Sequence, residues 1–459
     1  MVPHLRQRVL PLFLLLIFSI SLHFATAELL LSYVVVRHGA RNVLPKTSTL
    51  GETGVFGGPT LLPQGRKQCY QAGQTFRARY LDLTTCNTTD TCLTQAGATG
   101  ARYGVIDASN ENANFNNYNS LVNSSALHRT LLSANSFLLG AFSEDENSAT
   151  KVEPYLTRQI PPVFSTEDGQ DWRIRAYTKC PAYDRDLENW FASPEFREKE
   201  AETLPLRTQI GSLVGPSLNV SLANWWNVYD NFNVWRTYQV GNIMPALDDN
   251  VYAGVISLAM WLETSKMKSS LVQNRLGGGL LADVLGRMEQ AVQHRETSFP
   301  AHVYKLLTIA GHYNTQLGVL AALQADQVTN STLPWLGKKI PSPAAVLVFE
   351  LHHLSEKEGG KEKEGEEGRE EGYYVRVVIQ DGAKQDYQGV LLPCSGGEGG
   401  REGGREGEEG FQCSLKEFFE LAAPQALSAG EWCRACENEN VLACKVAGGG
   451  MGGRRRMMR

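Results

Sequence analysis

The stretch LLLSYVVVRHGAR, residues 29–41, sets the architecture expected for this chain. Its apolar, β-branched first part (residues 29–36) is typical of a fully buried strand in an α/β sheet, where functional residues gather at the carboxyl ends of strands. Directly after it, His38 stands between Arg37 and Arg41, and Gly39 lets the backbone turn sharply. Guanidinium groups match phosphate oxygens, and an imidazole held among them can attack phosphorus. A structural Arg–His pair on a loop is the alternative, but the position after a strand favours a phosphoryl site.

The other segments predict a sheet flanked by helices. Residues 65–80 have a helical pattern, and residues 303–310 predict a strand that is followed by a turn with a histidine and a helix (residues 311–323). Residues 344–351 and 373–382 predict two strands of a late hairpin. Residues 187–293 predict several helices, with bulk supplied by Trp190, Trp225, Trp226, Trp235 and Trp261. We therefore expect an α/β fold with a mostly parallel central sheet flanked by helices and a second, mainly helical lobe.

The first 27 residues are typical of a secretory leader. Arg6 and Arg8 precede an apolar run (residues 9–22), and the sequence ATA at residues 25–27 is a cleavage signal, so the mature chain is expected to begin at Glu28. A retained membrane anchor is the alternative, but a run of about 14 apolar residues is shorter than the roughly 20 that a span needs.

Two segments without apolar residues interrupt the globular pattern, residues 355–372 and 396–410. Both are rich in Gly and Glu, so we expect disordered loops, the first of them an enlarged hairpin turn. An acidic patch that binds calcium or a partner is the alternative, which the interspersed Lys and Arg disfavour. Residues 446–459 carry four arginines and predict a flexible basic tail.

Composition and charge describe a globular protein without a general affinity for nucleic acid. The 459 residues are 42% hydrophobic and 20% charged, which suits one large domain or two lobes. Lys and Arg number 44 against 49 Asp and Glu, a net charge of -5. This balance argues against nucleic acid or anionic lipid as partners.

The cysteines and sequons fit the secretory pathway. There are nine cysteines, five of them between Cys394 and Cys444, which predicts disulfides, a stapled C-terminal region and one thiol left over. Cys433 and Cys436 have the spacing of half a metal or dithiol site, but no second pair or nearby histidine completes it, so disulfides are favoured. The expected glycosylation sites are Asn87, Asn123, Asn219 and Asn330.

Several blocks of sequence carry a family resemblance beyond RHGAR. They are LLPQGRKQCYQAGQTFRARY (residues 61–80), SSALHRTLLSANSFLLGAF (residues 124–142) and LTIAGHYNTQLG (residues 307–318), together with the segment AAVLVFELHHL and the later YYVRVVI. With these blocks the chain resembles the histidine acid phosphatases, the branch of the histidine phosphatase superfamily that includes the prostatic and lysosomal enzymes and the phytases. The likeness spans residues 29–436 and is weak over residues 188–300.

The resemblance implies a role for each site residue. His38 is the expected nucleophile that becomes phosphorylated, and Arg37, Arg41 and Arg129 are expected to bind the phosphoryl oxygens. His312 is the second catalytic histidine and completes the cradle. Three guanidinium groups and an imidazole can neutralise the charge on the transferred group, so no cofactor and no metal is expected. The implied activity is hydrolysis of phosphate monoesters through a phosphohistidine.

One residue departs from the family pattern. The family follows its second histidine with an acidic residue that protonates the leaving alcohol, whereas this chain has Tyr313. A phenol is a much weaker acid than a carboxylic acid, and loss of a general acid typically costs about 10²- to 10⁴-fold in rate. Three possibilities follow: Tyr313 or a bound water donates the proton, an acid elsewhere replaces it (for example in residues 107–123), or the protein is a pseudophosphatase that binds phosphate esters without turnover.

The expected domains and partners follow from these assignments. A discontinuous α/β core is expected from residues 28–142 and 300–445, with a helical lobe (residues 143–299) inserted between its halves. We expect a small phosphate monoester as substrate, no nucleic acid, no membrane span after leader removal, and leave a homodimer open. The expected location is the secretory pathway, either secreted or in the lysosomal or vacuolar lumen. A glycosylated structural surface protein is a third functional class.

Overall fold

The computed structural model describes the sheet, its helices and the residues around the predicted site. The described parts are residues 26–44, 46, 59–86, 91–93, 119–142, 160–297, 303–328, 338–355, 372–394 and 411–447. The predicted loop at residues 396–410 lies outside them, and so do residues 356–371 of the other loop. Residues 1–25 of the predicted leader and residues 448–459 of the predicted tail also lie outside the described residues.

The centre of the fold is one mixed sheet. Its strands are β1 (Thr26–Arg37), β2 (Ser120–Ser124), β3 (Val163–Ser165), β4 (Leu306–Gly311), β5 (Val346–Ser355), β6 (Tyr373–Gln380), β7 (Gln388–Gly389) and β8 (Gln412–Ser414). The strand order is β3-β2-β4-β1-β5-β6-β7, with β8 beside β6. Strands β3, β2, β4 and β1 pair in parallel, whereas β5 is antiparallel to β1 and β6. The predicted strands and the hairpin of β5 and β6 are confirmed, and the predicted site strands lie in the parallel half.

Between Leu29 and Val36 strand β1 is apolar except for the buried Ser32, because both of its faces are covered. Tyr33 and Val35 belong to the hydrophobic core on one face of the sheet, and Val34 and Val36 belong to the core on the other face. Alternate side chains of a strand point to opposite faces, so a strand with two covered faces has no position left for solvent-facing polar residues.

Helices cover the two faces of this sheet. The structure contains α1 (Pro63–Tyr80), α2 (Leu83–Cys86), α3 (His128–Ala141), α4 (Pro181–Phe191), α5 (Pro194–Glu202), α6 (Leu204–Val214), α7 (Trp225–Tyr238), α8 (Asp249–Ser265), α9 (Ser269–Val272), α10 (Gly278–Thr297), α11 (Tyr313–Ala322), α12 (Leu415–Ala422) and α13 (Ala429–Cys436), and some of these helices pack on the sheet. On one face α1 and α3 meet through Phe76 and Phe137, and on the other face α10, α11 and α12 join the core. Among these described helices, none has the length and apolar character of a membrane span.

The helices between β3 and α10 have a core of their own. Tyr183 of α4, Trp225 of α7 and Leu258 of α8 are buried in one apolar cluster. Trp190 and Trp261 pack against this cluster. Helix α10 instead packs its apolar side on the sheet. A mainly helical lobe is thus confirmed, and the domain boundaries given above stay a prediction.

Disulfides tie the C-terminal region together and join it to the helical region. The pairs are Cys86–Cys92, Cys180–Cys436, Cys394–Cys413 and Cys433–Cys444. The predicted stapled region is confirmed, and Cys433 and Cys436 belong to two different disulfides. The thiol left over is Cys69, which is buried in α1.

Candidate active site

The parallel strands bring three distant segments to one edge of the sheet. β4 lies between β1 and β2, with Arg37 beside Gly311 and Ser124 beside Ala310. The backbone continues this pairing past the strand ends, because the His38 amide donates to the Gly311 carbonyl at 3.0 Å and the Ser125 amide donates to the Ala310 carbonyl at 3.0 Å. The predicted site residues after β1 and β4 are therefore neighbours.

The turn after β1 requires glycine because it touches the start of α1. A Cβ atom on Gly39 would lie 2.2 Å from the backbone oxygen of Gly65. The Gly39 amide donates to the Ser133 hydroxyl at 3.1 Å, and the Ala40 amide donates to the Gln68 side-chain oxygen at 2.9 Å. Helices α1 and α3 thus fix the backbone of the RHGAR segment.

A backbone contact and the surrounding charges set the tautomer and the protonation state of His38. Its Nδ1 lies 2.8 Å from the Gly39 carbonyl oxygen, which can only accept a hydrogen bond, so Nδ1 carries the proton and Nε2 keeps its lone pair. Burial lowers the pKa of His38 well below its usual value, and the charges of Arg129, Arg37 and Arg41 lower this pKa further. The imidazole is consequently neutral in weakly acidic solution.

The three predicted arginines are buried around this histidine. Arg37 donates to the Pro341 carbonyl, and burial lowers its pKa to about 10, which leaves it protonated. Arg41 pairs with Asp230 at 2.9 Å, and Asp230 also accepts from the Leu44 amide at 2.7 Å. Arg129 lies in the first turn of α3 and is fully buried. The site is therefore strongly electropositive, as phosphate binding requires.

His312 faces His38 across the site. The two ring centroids are 5.3 Å apart in an edge-to-face arrangement. Nε2 of His312 lies 3.1 Å from the Ser125 hydroxyl, which in turn lies 2.9 Å from the Thr130 hydroxyl. Burial lowers the pKa of His312 well below its usual value, with Arg129 and His38 adding to the shift. A second neutral imidazole therefore lies beside His38, with its Nε2 held at the Ser125 hydroxyl.

Tyr313 is part of a buried charged network. Its hydroxyl donates to the Glu263 carboxylate and accepts from the Lys46 ammonium at 2.5 Å. Lys46 also binds Glu263 at 2.9 Å, and Lys266 binds the other carboxylate oxygen at 3.0 Å. The guanidinium of Arg37 lies 5.0 Å from the centroid of the Tyr313 ring, which places the network beside the candidate site around His38.

The charges of this network shift the pKa of each member. Burial, then Glu263, raises the pKa of Tyr313 well above its usual value. Burial disfavours the Glu263 carboxylate, but Lys266 and Lys46 outweigh burial and lower its pKa to about 2. Burial lowers the pKa of Lys46 to about 8 although Glu263 opposes the shift.

Other predicted positions lie apart from this site or outside the described residues. Asn219 is exposed, whereas Asn123 is half-buried in β2, and its sequon hydroxyl belongs to the buried Ser125. Asn87, Asn330 and most of residues 107–123 lie outside the described chain. Within the described residues, no cluster of His, Cys, Asp or Glu could hold a metal ion.

Three polar residues of the site had not been singled out from the sequence. Asp230, which pairs with Arg41, and Lys46 lie in no recognisable motif. Glu263 does carry a signal, because it is a single carboxylate within the apolar segment of α8 (VISLAMWLETS). A lone acid on an apolar helix predicts either burial with a partner or function.

Comparison with known proteins identifies relatives along most of the chain. Rat lysosomal acid phosphatase is 22% identical over 437 residues, which cover 90% of this chain and 83% of the relative. The Xenopus laevis lysosomal acid phosphatase is 25% identical over 451 residues, 95% of this chain and 84% of the relative. The apo form of Hafnia alvei phytase has a similar fold, with a TM-score of 0.54 at 14% identity over 90% of this chain and 98% of that one. Residues 28–380 match the histidine phosphatase superfamily (branch 2). The chain therefore belongs to the histidine phosphatase superfamily, branch 2.

Proposed function

We propose that this protein is an acid phosphatase that hydrolyses phosphate monoesters through a phosphohistidine on His38. The observation that carries the proposal is the neutral, buried His38, whose Nδ1–H is held by the Gly39 carbonyl so that Nε2 is the nucleophilic atom. Membership of the superfamily and the lysosomal acid phosphatase relatives support a phosphatase hydrolase.

The reaction takes place in two steps. Arg37, Arg41, Arg129 and His312 bind the oxygens of the phosphoryl group, and Nε2 of His38 attacks phosphorus in line with the ester oxygen. The P–O ester bond breaks, and the alcohol leaves with a proton. Water then attacks the phosphohistidine and releases phosphate, which restores His38.

The electrostatics of the site favour an anionic ligand. Beyond the effect of burial, Arg41 lowers the pKa of Arg37, and the arginines lower the pKa of both histidines. The positive charges of the site therefore repel one another. A phosphate dianion relieves this repulsion, and fixed donors need little reorganisation as negative charge develops in the transition state. In this proposal the same arginines and histidines bind the substrate and stabilise the transition state, and the reaction needs no metal ion.

The relatives and the disulfides support a location in the secretory route. Lysosomal relatives and four disulfides support the lumen of the secretory route, either outside the cell or in the lysosome or vacuole. Asn219 is the described sequon whose position suits a glycan, because it is exposed.

A pseudophosphatase is the second candidate function, and Tyr313 is the observation that favours it. If no group protonates the leaving alcohol, the cradle binds phosphate esters but turns over only those whose leaving group needs no proton. The two functions therefore differ in the esters that they cleave.

The decisive experiment compares two esters across acid to neutral pH. Phosphate release from p-nitrophenyl phosphate and from glycerol phosphate is measured for the wild type, for His38→Ala and for the control His128→Ala, an exposed histidine at the start of α3. We expect the wild type and the control to cleave both esters and His38→Ala to cleave neither. Cleavage of the nitrophenyl ester alone would mean that the proton donor is missing and would support a catalytically weak pseudophosphatase. Phosphate binding without any release would support an inactive one.

A further inference from the structure

The proton donor is the part of the reaction that the arginines and histidines leave unassigned. The residue at the expected position, Tyr313, is a poor acid by itself. Its hydroxyl proton is directed at the Glu263 carboxylate, and burial together with that carboxylate raises the pKa of the phenol well above its usual value. A proton from Tyr313 alone would leave a buried phenolate beside a buried carboxylate, which is costly.

The chain places an ammonium group on the oxygen of this phenol. Lys46 follows the RHGAR turn, and its backbone is fixed by Asn227, whose side-chain oxygen accepts from the Lys46 amide at 2.7 Å. The Asn227 side-chain amide in turn donates to the Lys46 carbonyl. The ammonium lies 2.5 Å from the Tyr313 hydroxyl oxygen and 3.9 Å from the centroid of the Trp226 ring. Lys46 is thus held in place at both ends of its side chain.

We propose that Lys46 is the general acid of this phosphatase and that Tyr313 relays its proton to the leaving alcohol. This inference rests on the proposed function and names the group that supplies the leaving-group proton. Glu263 positions both residues, since it binds the ammonium and the hydroxyl with the same carboxylate oxygen.

The proton transfers balance over the two steps. As the His38 Nε2–P bond forms and the P–O ester bond breaks, the electron pair stays on the leaving oxygen. The Tyr313 hydroxyl turns from Glu263 to that oxygen and gives it a proton, and Lys46 gives a proton to the Tyr313 oxygen. Lys46 is then a neutral amine and Tyr313 is a neutral phenol. When water attacks the phosphohistidine, a proton of the water returns through Tyr313 to Lys46.

The surroundings of Lys46 suit this role. It is faced by Glu263 from α8, by Lys266 directly after the end of α8, by Tyr313 from α11 and by Arg41 from its own loop. Burial, Lys266 and Arg41 lower its pKa and Glu263 raises it, and the result is about 8. A buried ammonium with this pKa is protonated at acid and neutral pH, yet it gives up a proton more readily than an ordinary lysine.

The test uses two substitutions at Lys46 and one matched control. Lys46→Met removes the charge and the proton, Lys46→Arg keeps a charge that gives up no proton, and Lys266→Met removes the other ammonium that binds Glu263. The readout is the ratio of kcat/KM for glycerol phosphate to kcat/KM for p-nitrophenyl phosphate, because only the alkoxide needs a proton when it leaves.

We expect both Lys46 variants to lower the ratio by at least about 100-fold, as loss of a general acid does, while nitrophenyl hydrolysis falls less than about tenfold. Lys266→Met leaves the Lys46 proton in place but removes a charge that lowers the pKa of this ammonium, so the ratio should fall by less than about tenfold. If Lys46→Arg restores glycerol phosphate hydrolysis to within about tenfold of the wild type, Lys46 supplies only charge and the proposal is overturned.

A wild-type pH profile tests the same idea without a variant. The ammonium is the acid form, so kcat/KM for glycerol phosphate should fall as pH rises through about 8, and the same limb should be absent for the nitrophenyl ester. Identical profiles for the two esters would overturn the proposal. If the wild type cleaves neither ester, the proposed phosphatase function itself is contradicted. If the wild type cleaves both esters and the Lys46 variants keep the wild-type ratio of kcat/KM values, only the role of Lys46 is contradicted.

Discussion

Glu263 should stabilise the fold by an amount that can be worked out from its surroundings. The carboxylate is fully buried between the ammonium groups of Lys46 and Lys266 and the hydroxyl of Tyr313. Glu263→Gln keeps the shape of the side chain and removes its charge, so the variant resembles the protonated form of the wild type. Two buried ammonium groups then lose their counter-charge.

The magnitude follows from the pKa of the carboxyl group. This pKa is about 2 in the folded protein, against roughly 4.3 in an unfolded chain. Each unit is worth roughly 1.4 kcal/mol, so the ionised carboxyl contributes about 3 kcal/mol of unfolding free energy at neutral pH. Loss of one partner of a buried ion pair typically lowers the free energy of unfolding by about 3–5 kcal/mol, a range that includes this value. Because the folded pKa is the lower one, this stability is complete above about pH 4.3 and is lost as pH falls through about 2; at pH 3 about half remains.

The assay is denaturant unfolding of the disulfide-intact protein, followed by tryptophan fluorescence at pH 7 and pH 3. The control is Glu195→Gln, which removes an exposed carboxylate that binds Lys268 at 3.2 Å. We expect Glu263→Gln to lose about 3 kcal/mol at pH 7 and about 1.5 kcal/mol at pH 3, and the control to lose less than about 1 kcal/mol at either pH. An equal loss at both pH values for Glu263→Gln, or a loss no larger than that of the control, would refute the reasoning.

Three variants and one labelling measurement test other parts of the structure. Gly39→Ala places a Cβ 2.2 Å from a backbone oxygen and should lower both the melting temperature and the phosphatase activity. The added Cβ of Gly286→Ala in α10 meets nothing within 4 Å, so this variant should raise the free energy of unfolding by about 0.5–1 kcal/mol. Thermal unfolding checks both expectations. Burial raises the pKa of Cys69 to about 12, so a maleimide should label no thiol in the native protein and one after unfolding. Asp230→Ala removes the carboxylate that pairs with Arg41 and should lower the free energy of unfolding by about 3–5 kcal/mol. Added phosphate should restore part of this loss, so it should raise the melting temperature of the variant more than that of the wild type. An equal rise for both proteins would contradict this expectation.

The sequence predicted those parts of the site that are local in the chain. The strand that ends in RHGAR and the strand that ends before His312 each carry their functional residue within a few positions of a strong apolar run. Parallel pairing then brings the two strand ends together, as the architecture requires. The buried state of Arg129 became an expectation only through the family resemblance, because an arginine at the start of a helix is ordinarily exposed.

The partners of these residues could not be predicted, because they come from distant helices. Asp230 and Glu263 meet Arg41 and Lys46 only after α7 and α8 pack beside the turn. Their pairing depends on tertiary contacts between segments separated by nearly 200 positions or more. The lone carboxylate of Glu263 on an apolar helix is a local signal, but it does not identify the partner. The same holds for Cys180–Cys436, because spacing alone leaves the pairing of nine cysteines open.

The position of β4 in the sheet has a consequence for the order of events during synthesis. β1 and β2 leave the ribosome early, but β4, which lies between them, begins only at Leu306. Until then the two earlier strands have no shared hydrogen bonds and present unpaired edges, so folding is expected to be slow and aggregation-prone while the helical region is being made. A nascent chain that stops before β4 holds both His38 and Arg129, yet it has no strand to bring them together.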